Sequence, residues 1–309
     1  MAILVLSSPL PAAPYVQALR TAAPDIPVWT EEDDPPPDAV EAVLAWRMTP
    51  GVLPRYRGLR VLCSIAAGVD KLVGVDDLPP GLPVTRVVDP AQGQQIAQYV
   101  LGCALRHTRE LGRYAELQSR AEWQRHPVRL PSQCRVGLLG MGAVGQAIAR
   151  AFAPLGYPVA GWSRRPRAVA GVEGFDGPAG LDGLLAQSDI LVCALPLTEE
   201  TRGLLDRRRL LQLPPGAFVI NVGRGEQLIE PDLRALLDEG HIAGAALDVF
   251  EREPPPRDNW VWSHPKLVAT PHIAAQASFD TVATQCLEAL RSVRAGTRPA
   301  LAVDRDAGY

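Results

Sequence analysis

The chain has 309 residues, with 31 Lys and Arg against 34 Asp and Glu. That is length enough for two domains with cores of their own, and a balance that gives no sign of a nucleic-acid binder. Its five cysteines are scattered without a CxxC pair, which argues for a reduced, cytoplasmic compartment rather than a disulfide framework. No apolar run reaches membrane-spanning length, and Ala2–Leu6 lacks the preceding positive charge of a signal peptide.

Ala2–Leu6 reads as a first strand that stops at Ser7-Ser8-Pro9. A helix is expected around Tyr15–Ala23 and strands at Val28–Thr30, Ala39–Ala45 and Leu59–Ser64, so residues 1 to about 95 form a small α/β unit. Trp46 and Arg47 follow one of these strands and could wall a substrate pocket, although a core tryptophan beside a surface arginine fits equally well. The stretch Ser64-Ile65-Ala66-Ala67-Gly68-Val69-Asp70 could present backbone N–H groups to a carboxylate, and taken alone it reads as a plain turn. From Gln92 to about Ala121 a single long helical pattern carries Ile96, Val100, Leu101, Ala104, Leu105, Leu111 and Leu117 on related faces and reads as a connector.

After an irregular polar stretch, Val136–Leu139 breaks into Gly140, Gly142 and Gly145 and then into an amphipathic helix that Gly156 ends. This is the spacing of a phosphate cradle. The first glycine allows a sharp turn, the second a close approach of backbone to a pyrophosphate, and the third a close helix–strand contact. The N–H groups at the helix start, including those of Ala143 and Val144, face the anion. Pro158–Trp162 returns as a second strand, and the residue after it is Ser163, where NAD-preferring sites place an acid to hold the ribose 2′-hydroxyl. Ser163-Arg164-Arg165, with Arg167 nearby, offers a hydroxyl and guanidinium forks that suit a 2′-phosphate, so NADP(H) is expected, with NAD(H) possible; the plain alternative is a solvated basic turn.

Ile190–Ala194, Ala217–Asn221 and Gly244–Asp248 are continuous apolar runs suited to parallel strands covered on both faces, separated by helices at about Arg207–Leu213 and Glu230–Glu239. Ligands of such sheets lie outside the carboxyl ends of the strands, so the loops that follow, beginning with Leu195-Pro196, should share one crevice. A final helix, about Ala277 to Ala295, lies past these and could cross back to the first domain.

Three chargeable residues stand after the later strands: Arg224 between glycines, Glu253 before three prolines, and His272 in Thr270-Pro271-His272-Ile273-Ala274. Singly, each has a dull explanation, as a solvated turn, a surface acid and a helix cap. Together they meet the needs of 2-oxo acid reduction. Arg224 can bind the carboxylate and polarise the ketone oxygen. His272 can give its proton to the forming alkoxide, while a neighbouring Glu253 orients the imidazole and favours its charged form.

At these residues the sequence resembles the D-isomer-specific 2-hydroxyacid dehydrogenase family, and within it the glyoxylate/hydroxypyruvate reductase A branch. The likeness runs nearly end to end. It includes Ala67–Asp70, the glycine unit, Leu195-Pro196-Leu197-Thr198 with Thr201, Asn221–Gly225, Leu247–Phe250 through Glu253-Pro254, and Thr270–Ala274. The branch is suggested by Gly161–Arg164, by Ala45-Trp46, and by Val303-Asp304-Arg305 closing at Gly308-Tyr309. The resemblance implies Arg224, Glu253 and His272 as the catalytic set. It implies a cofactor held by Gly140, Gly142, Ala143, Val144, Gly145, Ser163, Arg164, Arg165, Leu195, Pro196, Thr201, Val222 and Gly223, with Asp248 near the nicotinamide amide. Trp46, Ala67, Gly68 and Val69 would join Arg224 and His272 around the substrate, and two chains would pair through the nucleotide domain as a homodimer. Gln98 stands where the family usually has a glutamate, and Ala66 where a glycine is common.

The expected fold is α/β: two Rossmann-like domains with parallel sheets, an NADP-binding domain of 96–277 inserted into a smaller flavodoxin-like substrate domain of 1–95 and 278–309. The expected function is NADPH-dependent reduction of glyoxylate or hydroxypyruvate, with no metal, nucleic acid or membrane involved. The alternatives are an NAD-dependent enzyme for bulkier 2-oxo acids and, from another class, a nucleotide-sensing corepressor-like interaction protein, although nothing in the chain reads as an added partner-binding extension.

Overall fold

The computed structural model describes residues 2–304, so the closing residues Arg305 to Tyr309, named above for the branch, lie outside it. In chain order the first elements are β1 (Ala2–Leu6), α1 (Ala13–Ala22), β2 (Val28–Thr30), β3 (Val40–Ala45), β4 (Val61–Ser64), α2 (Asp70–Val73) and β5 (Val84–Thr85). Helices α3 (Pro90–Thr108) and α4 (Leu111–Ser119) follow, then β6 (Val136–Leu139), α5 (Ala143–Phe152), β7 (Val159–Ser163), β8 (Glu173–Asp176), α6 (Gly177–Leu185) and β9 (Ile190–Cys193). The remainder is α7 (Arg207–Leu210), β10 (Ala217–Asn221), α8 (Glu230–Glu239), β11 (Ile242–Leu247), β12 (Leu267–Ala269) and α9 (Phe279–Arg294). No helix among the described residues is long and apolar enough to cross a membrane.

The chain divides into two compact units, Met1–Ala91 with Gln276–Tyr309 and Gln92–Ala275. The first holds a five-stranded sheet in the order β2-β1-β3-β4-β5, and the second a seven-stranded sheet in the order β12-β11-β10-β9-β6-β7-β8. Every strand pairing in both is parallel. The first is the flavodoxin-like order. The second, read from β8, is the doubly wound dinucleotide order with one strand added at the far edge, and its switch point falls between β6 and β9.

The strands are legible as apolar runs because both faces of each sheet are covered. In β1, Ile3 and Val5 belong to one buried cluster and Leu4 and Leu6 to another. In β9, Leu191 and Cys193 face one core and Ile190 and Val192 the other. The first unit is closed by α9, which packs along α1, with the Phe279 ring edge-on to Tyr15 at 4.9 Å. Ser278 caps α9 by accepting the Thr281 N–H at 3.1 Å, and Arg294 pairs with Glu41 at 2.7 Å.

The connector differs from expectation. The single helix expected over 92–121 is two, because Glu110 adopts a left-handed φ of 51° between α3 and α4. A left-handed residue interrupts the i to i−4 ladder, and neither Pro nor Gly marks that position, so the apolar period runs through the break unseen. At the end of α3 the His107 ring stacks on Phe218 of β10, with centroids 4.3 Å apart. The short strands β5, β8 and β12 and helix α6 were not expected either. Edge strand β8 is largely exposed and carries acids at both ends, which blunts an edge but erases the apolar run that would announce a strand.

Candidate active site

The residues singled out in the second unit all lie at the carboxyl-end side of its sheet, because the strands are parallel and the loops follow their carboxyl ends. At the end of β6 the glycines differ in what they permit. Gly140 has φ +103°, and a Cβ there would press on the Ala194 carbonyl oxygen at 2.8 Å. A Cβ at Gly145 would fall on the Gly140 carbonyl. At Gly142 a Cβ would meet nothing within 4 Å. Two glycines are therefore demanded by the protein's own backbone, while the third opens the loop outward, which fits an occupant that approaches the backbone closely. Ala143 and Val144 open α5, where the first-turn N–H groups have no intrahelical acceptor.

Ser163 ends β7, and its hydroxyl donates to the Arg165 carbonyl at 2.7 Å. Arg164 and Arg165 are exposed, and Arg167 donates to the Met141 carbonyl at 2.9 Å, tying this basic turn to the glycine loop. Glu200 lies near the turn; its carboxyl is held below the usual range chiefly by the Thr198 hydroxyl and least by Arg164. Thr201 has both hydroxyl roles engaged within its own loop, donating to the Pro196 carbonyl at 2.7 Å and accepting the Thr198 N–H at 2.8 Å.

On the other half of the sheet, Asn221 of β10, Leu247 of β11 and Ala269 of β12 lie level in register. Arg224 comes three residues after that row and His272 likewise, with the Asp248–Glu253 loop between them. His272 Nδ1 lies 3.1 Å from each carboxylate oxygen of Glu253, with the two side chains 24% and 19% exposed. That exposure leaves the pair screened less than a surface ion pair but still within reach of a ligand. Glu253 Oε1 also accepts the Phe250 N–H at 3.2 Å. Arg224 donates from Nη1 to the Gly223 carbonyl at 2.9 Å, and its own carbonyl accepts from Asn221 Nδ2 at 2.9 Å. A Cβ at Gly225 would coincide with the Phe250 carbonyl, so this glycine lets the β10 and β11 loops touch.

Gln227 is absent from the expected site, yet it ties these loops together. Fully buried, it donates to the Leu195 and Pro196 carbonyls at 3.0 and 2.9 Å and accepts the Arg224 N–H at 2.8 Å. Gly223 has no room for a Cβ because the Gln227 side chain lies against it. Its only sequence signal is a polar residue between a glycine turn and an apolar segment, which points to no partner.

In the first unit, Trp46 follows β3 and the 66–69 loop follows β4, its neighbour in the sheet. Lys71 Nζ stands 5.3 Å over the Trp46 ring. Ser64 Oγ accepts the Ala66 N–H at 3.0 Å and donates to the Gly68 carbonyl at 3.1 Å, bracing the loop. Ala67 is exposed, while Val69 is buried ahead of α2. A 730 Å³ cavity in the second unit lies at the opposite, N-terminal side of the sheet, lined among others by Arg106, Asp189 and Lys266, and includes none of the expected site residues.

Residues 101–274 match the model of the D-isomer specific 2-hydroxyacid dehydrogenase NAD binding domain. Over 299 residues the chain is 34% identical to glyoxylate/hydroxypyruvate reductase A of Serratia proteamaculans, covering 94% of this chain and 93% of that protein. A D-isomer specific 2-hydroxyacid dehydrogenase from Xanthobacter autotrophicus, solved with NADPH and MES, is 40% identical with a TM-score of 0.88, covering 100% of this chain and 99% of the other. The NADPH-dependent glyoxylate/hydroxypyruvate reductase of Sinorhizobium meliloti, solved with NADP and sulfate, superposes with a TM-score of 0.91 at 32% identity, over 100% and 99% of the two chains.

Proposed function

Because the chain belongs to the D-isomer specific 2-hydroxyacid dehydrogenase family, we propose that it reduces a small 2-oxo acid, of the glyoxylate or hydroxypyruvate kind, with NADPH. The observation that carries this reading is the His272–Glu253 pair, 3.1 Å apart on adjoining strand ends, beside the strand that bears Arg224. When bound, the nicotinamide supplies the hydride.

The chain's own residues do the rest. Arg224 binds the substrate carboxylate with one edge of its guanidinium and places another donor at the ketone oxygen, where negative charge develops. His272, with Nδ1 turned to Glu253, delivers its proton from Nε2 to the forming alkoxide. Glu253 fixes the ring's orientation and offsets the charge of the imidazolium. In the oxidative direction His272 takes the proton back. Trp46 and the backbone of Ala67, Gly68 and Val69 are assigned to the substrate from their place after β3 and β4 together with the family resemblance.

For the cofactor, Gly140, Gly142, Ala143, Val144 and Gly145 hold the pyrophosphate, and Ser163, Arg164 and Arg165 the 2′-phosphate. Support comes from the open face at Gly142 and from the missing acid at the end of β7, which would repel that phosphate. Leu195, Pro196, Thr201, Val222 and Gly223 line the remaining path, with Asp248 toward the amide. The proposal extends to a homodimer in the cytoplasm; five buried, unpaired thiols fit a reducing compartment, and light scattering of the purified protein reads the stoichiometry.

The test is a set of initial rates with NADPH and NADH on glyoxylate, hydroxypyruvate and phenylpyruvate. A preference for NADPH and for the two small acids is expected. NADH preference would remove the role given to Arg164 and Arg165, and phenylpyruvate preference would favour a bulkier substrate. Protein that binds NADPH but oxidises it with no 2-oxo acid would overturn the reading.

A further inference from the structure

His272 adopts a left-handed backbone with φ +56°, a region that a residue with a Cβ uses sparingly. What holds it there is Asp248, whose side chain is buried. Three successive N–H groups converge on that residue: His272 donates to its carbonyl at 2.9 Å, Ile273 to Oδ1 at 2.9 Å, and Ala274 to Oδ2 at 2.8 Å. The last two amides hold the carboxylate as a nest holds an anion, while the His272 N–H is shared between the Asp248 and Thr270 carbonyls at 2.9 and 3.0 Å, so both residues fix the backbone at His272.

Oδ1 also accepts the Thr270 hydroxyl at 2.6 Å, and Thr270 Oγ1 lies 2.7 Å from the Tyr99 hydroxyl on α3. The donor order follows from chemistry. An ionised carboxylate only accepts, so the single Thr270 proton goes to Asp248, and Tyr99 must donate to Thr270. Burial pushes the Tyr99 phenol well above its ordinary range, which keeps that proton in place.

We propose that Tyr99 and Thr270 are positioning residues for the acid–base step: acting through Asp248, they set the left-handed backbone at His272 and so the aim of its imidazole. The proposal rests on the reading of His272 as proton donor, and it is separate from any contact of Asp248 with the nicotinamide. The Tyr99 hydroxyl bonds to Thr270 and the Thr270 hydroxyl to Asp248, so each acts through another group.

The test compares Thr270→Val, Thr270→Ser and Tyr99→Phe in the full chain. Thr270→Val keeps the shape and removes the hydroxyl. It is expected to lower kcat by about tenfold or more, with the KM for NADPH within about twofold, since displacing a catalytic group by about 1 Å can cost up to ~10²-fold. Thr270→Ser restores the hydroxyl and the rate, and Tyr99→Phe lowers kcat by about threefold, because the Thr270–Asp248 bond survives. The ring nitrogen-15 signals of His272, identified by their loss in His272→Gln, shift in Thr270→Val and return in Thr270→Ser.

Wild-type kcat and unmoved His272 signals in Thr270→Val would overturn the proposal. So would a loss of rate that Thr270→Ser shares. If the wild-type protein reduces no 2-oxo acid, the functional reading fails, and the ring signals alone decide whether the relay governs His272.

Discussion

The glycine loop after β6 and the histidine loop after β12 both leave the carboxyl ends of strands in one sheet, yet they are built in opposite ways. The first works through bare backbone. Gly140 and Gly145 are required by neighbouring carbonyls, and Gly142 leaves an open face. The second is a backbone held by side chains: the Asp248 carboxylate gathers Thr270, Ile273 and Ala274, and Glu253 takes the His272 ring. The contrast teaches that a site made of missing side chains is visible as spacing in the chain, whereas one made of mutual hydrogen bonds becomes visible only once distant segments meet.

Arg224→Ala should show the largest effect on the side-chain half. Removing a donor aimed at developing charge costs about 10²–10³-fold, so kcat/KM for the oxo acid falls by that factor while NADPH affinity, read by fluorescence titration, holds. Unaltered oxo-acid kinetics would take Arg224 out of the site. Glu253→Gln should lower kcat by about 10- to 10²-fold. An unchanged kcat would separate the two side chains functionally.

On the backbone half, Gly145→Ala and Gly142→Ala should part company. Gly145→Ala forces a Cβ onto the Gly140 carbonyl and should cost about 1–3 kcal/mol of stability, as overpacking does, seen as a lower Tm. Gly142→Ala should leave Tm unchanged, because nothing lies within 4 Å of that Cβ, and weaken NADPH binding alone. Equal Tm losses would mean that the outward face of the loop is not open. The smallest effect is expected for Arg164→Ala, about 1 kcal/mol or a fewfold drop in NADPH affinity with NADH little changed, since the residue is exposed and its ion pairs are screened.

The same contrast explains how much of the molecule was legible beforehand. Strands β1, β3, β6, β9, β10 and β11 announce themselves because two covered faces demand a nearly continuous apolar run, and with the glycine spacing they carry the α/β class. Strand β8 escapes because its edge is charged, β12 because its three residues are all only partly buried and follow a polar stretch, and the turn at Glu110 because a left-handed residue leaves no mark on a helical period. Within the site, charged residues after strand ends draw notice by themselves. Gln227, Tyr99 and Thr270 do not, since an uncharged polar side chain takes its meaning from a partner elsewhere: 171 residues apart in the case of Tyr99 and Thr270.

Gln227 carries a last consequence. One carboxamide clasps the segment after β9 with its nitrogen and the segment after β10 with its oxygen, so a single side chain sets the spacing of the two. A hydrolysed amide at this position would turn a donor into a second acceptor against two carbonyls, and the clasp would spring apart without any change in shape or size at residue 227.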